Sequence, residues 1–231
     1  MQPEACLRFA YSTFQKHLNS PDPLTSSHHL ISAFFTLHSY CSRTPDDAFA
    51  YHLFGLVNES LEKLELAEGL VGKSTSLLEA GYEDTEDPAI ERQFGLANSS
   101  LARLRLARQD LTGATDSFQN VLGLLTGDDD ALTVKLRVHA HLGFGLAKFL
   151  SMKIDSALES CQTALDHARD DPLLRSHAII LLSQIMWTTY SKDSREIAKS
   201  QLLQWCVPLS LRQHDIIEVT MTQVLQLIRR T

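Results

Sequence analysis

The residues most able to do chemistry in this chain sit between 67 and 74. There Ala67-Glu-Gly-Leu-Val-Gly72-Lys73-Ser74 satisfies a relaxed phosphate-loop pattern, with alanine in place of the first glycine. Such a loop works because a buried strand feeds it and a helix N-terminus follows, so that backbone N–H groups cradle phosphates. The preceding Glu59-Ser-Leu-Glu-Lys-Leu-Glu-Leu66 has the spacing of an amphipathic helix, and no apolar strand ending in aspartate follows to hold magnesium. The match therefore falls inside a helix and predicts no nucleotide site.

The other chemistry-bearing residues are no better placed. Of the 10 histidines, His28 and His29 are adjacent, and His139 and His141 are two apart, so neither pair shares a helix face in the way a metal site requires. Four cysteines stand at 6, 41, 161 and 206, without a Cys-x-x-Cys, which suits a reducing compartment better than a disulfide framework. No Gly-x-Ser-x-Gly elbow and no evident Cys–His pair suggests a nucleophile. Asn58-Glu-Ser60 and Asn98-Ser-Ser100 match the glycosylation pattern, yet both fall mid-helix. Arg103, Arg105 and Arg108 form the one basic concentration, read as a solvated helix face or as a contact for an acidic partner or RNA phosphate. The residues thus predict no catalysis, no cofactor, no metal and no small-molecule substrate.

Composition agrees with that reading. The 231 residues are 44% hydrophobic and 21% charged, the balance of an ordinary globular chain. A net charge of −7 disfavours sequence-independent nucleic-acid binding, leaving any contact with RNA indirect. The N-terminus lacks the basic and apolar regions of a secretory signal, and no apolar run is long enough to span a membrane. The expected compartment is the cytoplasm, with the nucleus left open.

What must position these residues is a run of helices. Apolar residues recur at i, i+3, i+4 and i+7, and no stretch alternates with a period of two. The expected helices cover about 3–18, 26–42, 45–62, 65–80, 88–108, 111–125, 131–151, 154–169, 172–190, 194–206 and 210–229. Their starts at Thr44-Pro45, Asp87-Pro88, Asp130-Ala131 and Asp171-Pro172 repeat with a beat of roughly 42 residues. In each, the hydroxyl or carboxylate is the expected N-cap and proline the first helical residue. Asp47 reads as an acidic third residue supporting a Thr44 cap, and Gly127 as a helix stop.

The paired helices carry a second regularity. First helices show Tyr51-x₂-Phe54-Gly55, Asn98-x₂-Leu101-Ala102 and His141-x₂-Phe144-Gly145. Second helices show Ala33-x₃-Leu37, Ala67-x₃-Val71, Ala114-x₃-Phe118, Ala157-x₃-Cys161 and Ala198-x₃-Leu202. This resembles the tetratricopeptide pattern, in which small residues let two backbones approach, although the usual period is about 34 residues. The expected fold is all-α: a tetratricopeptide-like solenoid, a right-handed superhelix of antiparallel helix pairs. Residues 1–44 would form an irregular first repeat, interrupted at Pro21 and Pro23, and 45–209 the repeats proper. Residues 210–231 would be a C-terminal helix, divergent or truncated. Apolar residues on several faces of the first and last helices suggest an incomplete solenoid that self-associates when alone. The groove-facing candidates for partner binding are His52, Leu56, Glu59, Arg103, Leu106, Leu142, Leu146 and Phe149, suited to a helix or an extended apolar segment. The same residues could instead be buried by longer helices.

Four less repetitive strings carry a closer resemblance: Tyr51-His-Leu-Phe-Gly-Leu-Val, Glu86-Asp-Pro-Ala-Ile-Glu-Arg-Gln-Phe94, Leu136-Arg-Val-His-Ala-His-Leu-Gly143 and Ala198-Lys-Ser-Gln-Leu-Leu203. The segment from Ala50 to Gln204 is similar to part of the tetratricopeptide scaffold subunit of the fungal superkiller complex. That resemblance implies a non-catalytic scaffold holding an RNA helicase and β-propeller subunits, in an assembly that delivers mRNA to the cytoplasmic exosome for decay from the 3′ end. It carries over no functional residue. Two other readings remain beside it: a peptide-binding adaptor with long repeats, as in kinesin light chains, and the phosphate-loop protein disfavoured above.

Overall fold

A computed structural model describes residues 3–85, 88–125, 130–168 and 171–189. Among them are nine α-helices and no strand. The helices are α1 (Pro3–Asn19), α2 (Pro23–Cys41), α3 (Ala48–Ser60), α4 (Leu64–Thr85), α5 (Pro88–Ala107), α6 (Leu111–Leu124), α7 (Ala131–Leu150), α8 (Ile154–His167) and α9 (Pro172–Thr189). They belong to two compact units, Met1–Thr126 and Gly127–Thr231. The first stacks the hairpins α1/α2, α3/α4 and α5/α6; the second contains the hairpin α7/α8 with α9 packed on it. The architecture is an all-α tetratricopeptide-like solenoid.

Aspartate opens most of these helices. Asp22 accepts from Thr25 N at 2.9 Å, Asp47 from Ala50 N at 2.9 Å and Asp110 from Gly113 N at 2.9 Å. Asp130 accepts from Leu132 N at 2.8 Å, and Asp171 from Leu173 N at 2.9 Å, as their sequence positions predict. Each side chain satisfies an N–H that the first turn leaves unpaired.

Two expected starts move. Thr44 is not a cap: its hydroxyl donates to Tyr40 O at 2.8 Å, and the helix begins at Ala48 behind Asp47. The carboxylate wins because Tyr40 OH also donates to it, at 2.8 Å, which fixes it at the helix mouth. In the first hairpin, Pro23 is the first residue of α2 behind the Asp22 cap, so the prolines shape a turn and do not interrupt the pair. Asp87, Gly127 and the helices expected at 194–206 and 210–229 lie outside the described residues.

The turns within three hairpins share one design. Glu62, Gln109 and Met152 hold φ of 59°, 65° and 60°, and the next N–H reaches back five residues: Lys63 to Asn58 O, Asp110 to Arg105 O and Lys153 to Lys148 O, each at 2.9 Å. This closes the preceding helix in the left-handed conformation that glycine usually supplies.

Small residues then set the hairpin spacing. A β-carbon added at Gly55 would lie 2.4 Å from Val71 Cγ2 and 3.2 Å from Ala67 O. At Gly145 the corresponding neighbours are Cys161 Sγ at 3.0 Å and Ala157 O at 3.2 Å. Ala33, Ala67, Ala102, Ala114 and Ala157 are fully buried. The repeated motif is therefore the contact between two helix backbones.

Candidate functional site

An apolar cavity in the first unit lies mainly among its first helices. It holds about 230 Å³ and is lined by Tyr11 of α1, by Phe49, His52, Leu53 and Leu56 of α3, by Ser74 and Leu78 of α4, and by Gln93 and Leu96 of α5. The α3 residues follow the i, i+3, i+4, i+7 rule, so a single helical stripe forms most of one wall. Tyr11 and Phe49 stand at its rim, their rings 6.2 Å apart and each nearly half exposed.

One polar group is built into that wall. His52 Nε2 lies 2.9 Å from Ser100 Oγ. Burial, aided by the Arg103 charge, pulls the His52 pKa down to about 4, so the ring is neutral at pH 7. Ser74 is committed as well, its hydroxyl donating to Ala48 O at 2.7 Å. One turn beyond Ser100, Arg103 makes a two-pronged ion pair with Glu59, Nη2 donating to Oε2 at 2.8 Å. The result is an apolar slot with a neutral imidazole at its side, and a self-neutralised ion pair farther along the same two helices, α3 and α5. Such a surface suits an apolar side chain from another polypeptide.

The eight sequence-derived candidates divide between the units. His52 and Leu56 line the slot, Glu59 and Arg103 pair beside it, and Leu106 is half-buried farther along α5. In the second unit Leu142 packs against the cluster that includes Val138, Ala164 and Leu174, while Phe149 packs against the cluster that includes Cys161 and Ile185. Leu146 is half-buried. Tyr11, Phe49, Leu53, Leu78, Gln93 and Leu96 were not among the candidates. The signal for Phe49 and Leu53 was present, since they continue the stripe of His52 and Leu56. Tyr11 and Leu78 come from other helices, and only the packing brings them in.

The remaining chemistry-bearing residues are absorbed by structure. Lys73 lies within α4, its Nζ 4.0 Å from the centroid of the Tyr51 ring and donating to Tyr51 OH at 2.8 Å. The flanking Gly69 and Gly72 are helical, so no phosphate-cradling loop exists there. Arg105 bonds Glu68 at 3.3 Å and Ser117 Oγ at 2.8 Å, and Arg108 also pairs with Glu68. The arginine cluster is thus tied to carboxylates of its own fold. Burial pushes the Cys161 thiol up to about 12 and the Cys41 thiol up to about 11, which leaves both unreactive. Asn58 and Asn98 are buried, each amide donating to the carbonyl four residues back. His141 and His139 each meet a histidine on another helix, His167 at 5.4 Å and His177 at 6.2 Å between ring centroids. Among the described residues no cluster of three or more His, Cys, Asp or Glu could hold a metal ion, and no helix is long and apolar enough to cross a membrane.

No family model matches the chain. It is 25% identical over 187 residues to Superkiller protein 3 of Schizosaccharomyces pombe and 22% identical over 200 residues to Superkiller protein 3 of Saccharomyces cerevisiae. These similarities cover 81% and 85% of this chain but only 13% and 14% of the two yeast proteins. The chain is therefore similar, over most of its length, to a small section of a much longer protein. Among solved structures it is similar to nearly identical TPR-like repeats from a Podosopora anserina protein assigned to the kinesin light chains, with TM-score 0.68 and 12% identity over 93% of this chain and all of the other. A second is MamA 41-end from Desulfovibrio magneticus RS-1, with TM-score 0.65 and 13% identity over 92% of this chain and 97% of the other. At these identities the structural likeness speaks for the fold alone.

Proposed function

We propose that this chain is a non-catalytic protein-interaction scaffold: a section of tetratricopeptide solenoid that holds partner proteins in a superkiller-type assembly. In that reading it helps to join an RNA helicase to β-propeller subunits, for exosome-dependent decay of mRNA from the 3′ end in the cytoplasm. RNA contact is at most indirect. The observation that carries the proposal is the similarity to Superkiller protein 3 of two yeasts across more than four-fifths of the chain. The apolar slot beside His52 supports the broader part, because its size and lining suit a side chain of a protein partner. The partner-facing set is His52, Leu56, Glu59, Arg103 and Leu106 in the first unit, with Leu142, Leu146 and Phe149 in the second.

A peptide-binding adaptor of kinesin-light-chain type is the second reading. It is favoured by the small size of the slot, about 230 Å³, which fits one or two side chains of a short linear segment more readily than a broad protein surface. Purification of the tagged chain from fungal extract, with identification of the retained proteins, separates the two. An RNA helicase retained together with a β-propeller protein, and lost in Leu56→Asp, supports the scaffold. Retention of a motor or cortical protein in their place sinks it in favour of the adaptor.

A further inference from the structure

The second helices of the hairpins can be aligned on their buried alanines, Ala33 of α2 with Ala67 of α4, Ala114 of α6 and Ala157 of α8. In this frame α2 packs on α1 and α3, α4 on α3 and α5, and α8 on α7 and α9. A third face of each is left in solvent. On α4 it carries Glu65 and Gly69, on α6 Thr112 and Asp116, and on α8 Asp155 and Glu159, all exposed. At the same two positions α2 carries Ile31 and Phe35, 49% and 66% exposed. Since α4 and α8 have neighbours on both other sides and still leave this face wet, stacking of further hairpins would not cover it.

The apolar face of α2 extends through its length. Leu24 (77% exposed), His28, Ile31, Phe35 and His38 are all exposed and follow one another at steps of four, three, four and three. That is the spacing of a seam between paired helices. From Pro23 to Cys41 the 19-residue helix holds no Asp, Glu, Lys or Arg. Charge is depleted at the cores of interfaces and plentiful on free surfaces, so an uncharged exposed helix has the composition of a covered one.

We propose that this face of α2 binds the same face of a second copy of the chain. An antiparallel, two-fold pairing sets Leu24 of each copy against Phe35 of the other and His28 against Ile31. The seam is the same uncharged face on both copies, so no like charges meet along it. Three apolar side chains with these exposures, together with two histidines, bury about 500 Å² per copy, or about 1,000 Å² in all, the lower limit for specific association. A dimer with so small an interface is expected to be in reversible equilibrium with the monomer.

Sedimentation velocity of the whole chain across a concentration series tests this. The wild type should pass from monomer to dimer, with Phe35→Glu and Ile31→Lys each raising the dissociation constant at least tenfold. Circular dichroism should show both variants folded as the wild type, since both positions are exposed. Leu66→Glu, which removes an equally exposed apolar residue from α4, should leave association unchanged. A monomer at all concentrations overturns the proposal and leaves the face to a helix of another protein. Association that survives both α2 variants, or that Leu66→Glu weakens as much, overturns it too.

Discussion

Replacing Gly55 by alanine tests the backbone contact on which the hairpins depend. Within a helix, glycine to alanine normally stabilises by about 0.5–1 kcal/mol, because the unfolded chain loses freedom. Gly69 in α4 should show that gain, since an added β-carbon there meets nothing within 4 Å. At Gly55 the new carbon would stand 2.4 Å from Val71 Cγ2, against the roughly 3.5–4 Å of ordinary carbon contacts. Val71 is fully buried and β-branched, with one strongly preferred helical rotamer, so it cannot swing aside. The helices must part, at an overpacking cost of about 1–3 kcal/mol. The propensity gain is common to both variants, so the difference between Gly55→Ala and Gly69→Ala measures the overpacking alone. Urea denaturation followed by far-UV circular dichroism gives both values. In a cycle with Val71→Ala, the coupling should recover most of the loss, because the clash is with the valine methyl. Equal stabilisation by Gly55→Ala and Gly69→Ala would refute the close crossing.

Other perturbations follow from single observations. Gly145→Ala should cost less than Gly55→Ala, since the Cys161 sulfur it meets at 3.0 Å can rotate away; the same denaturation series ranks them. Asp47→Ala should destabilise by about 1 kcal/mol, the usual worth of an N-cap, whereas Thr44→Ala should cost less than half as much. Gln109→Gly relieves a left-handed residue and should stabilise modestly, by about 0.5 kcal/mol, while Gln109→Ile should destabilise by more than 1 kcal/mol. His52 and His141 are both held down to about 4, mainly by burial, so the unfolded chain binds more protons between that value and the usual 6.5. Stability should therefore be full above pH 6.5 and fall as the pH drops towards 4, with a shallower fall in His52→Gln when midpoints are compared across pH. Labelled ATP with magnesium should bind no better to the wild type than to Lys73→Ala; micromolar binding lost in the variant would restore the phosphate-loop reading.

Much of this fold is legible because its signals are local. Asp130 and Asp171 cap the helices that their positions predict, and the Ala-x₃-apolar register marks buried crossings from Ala33 to Ala157. Where the reading moved, a side-chain hydrogen bond decided. Thr44-Pro45 has the composition of a helix start, yet Asp47 takes the role because the Tyr40 hydroxyl, seven residues earlier, holds its carboxylate. Pro23 resembles a breaker until Asp22 is seen to cap it. The turns at Glu62, Gln109 and Met152 offered no warning, since none uses the glycine that ordinarily marks a left-handed residue.

The candidate site shows the same limit more sharply. Periodicity selects His52 and Leu56 because one helix presents both, and it could equally have supplied Phe49 and Leu53. It cannot supply Tyr11, Leu78 or Leu96, which reach the slot from three other helices. Nor can it say how much of an apolar side chain packing leaves free, as at Leu142 and Phe149, which are half-buried against their own unit. Repetition carries a further difficulty for function. The features that recur, small crossings and left-handed turns, are those that any hairpin of this kind needs in order to stack. Information about partners must then lie where one hairpin departs from the others at an equivalent position. Ile31 and Phe35 standing where α4, α6 and α8 carry Glu65, Asp116 and Glu159 are such departures, and His52 bonded to Ser100 inside an apolar wall is another. On the readings proposed above, each is a place where the surface would meet a partner.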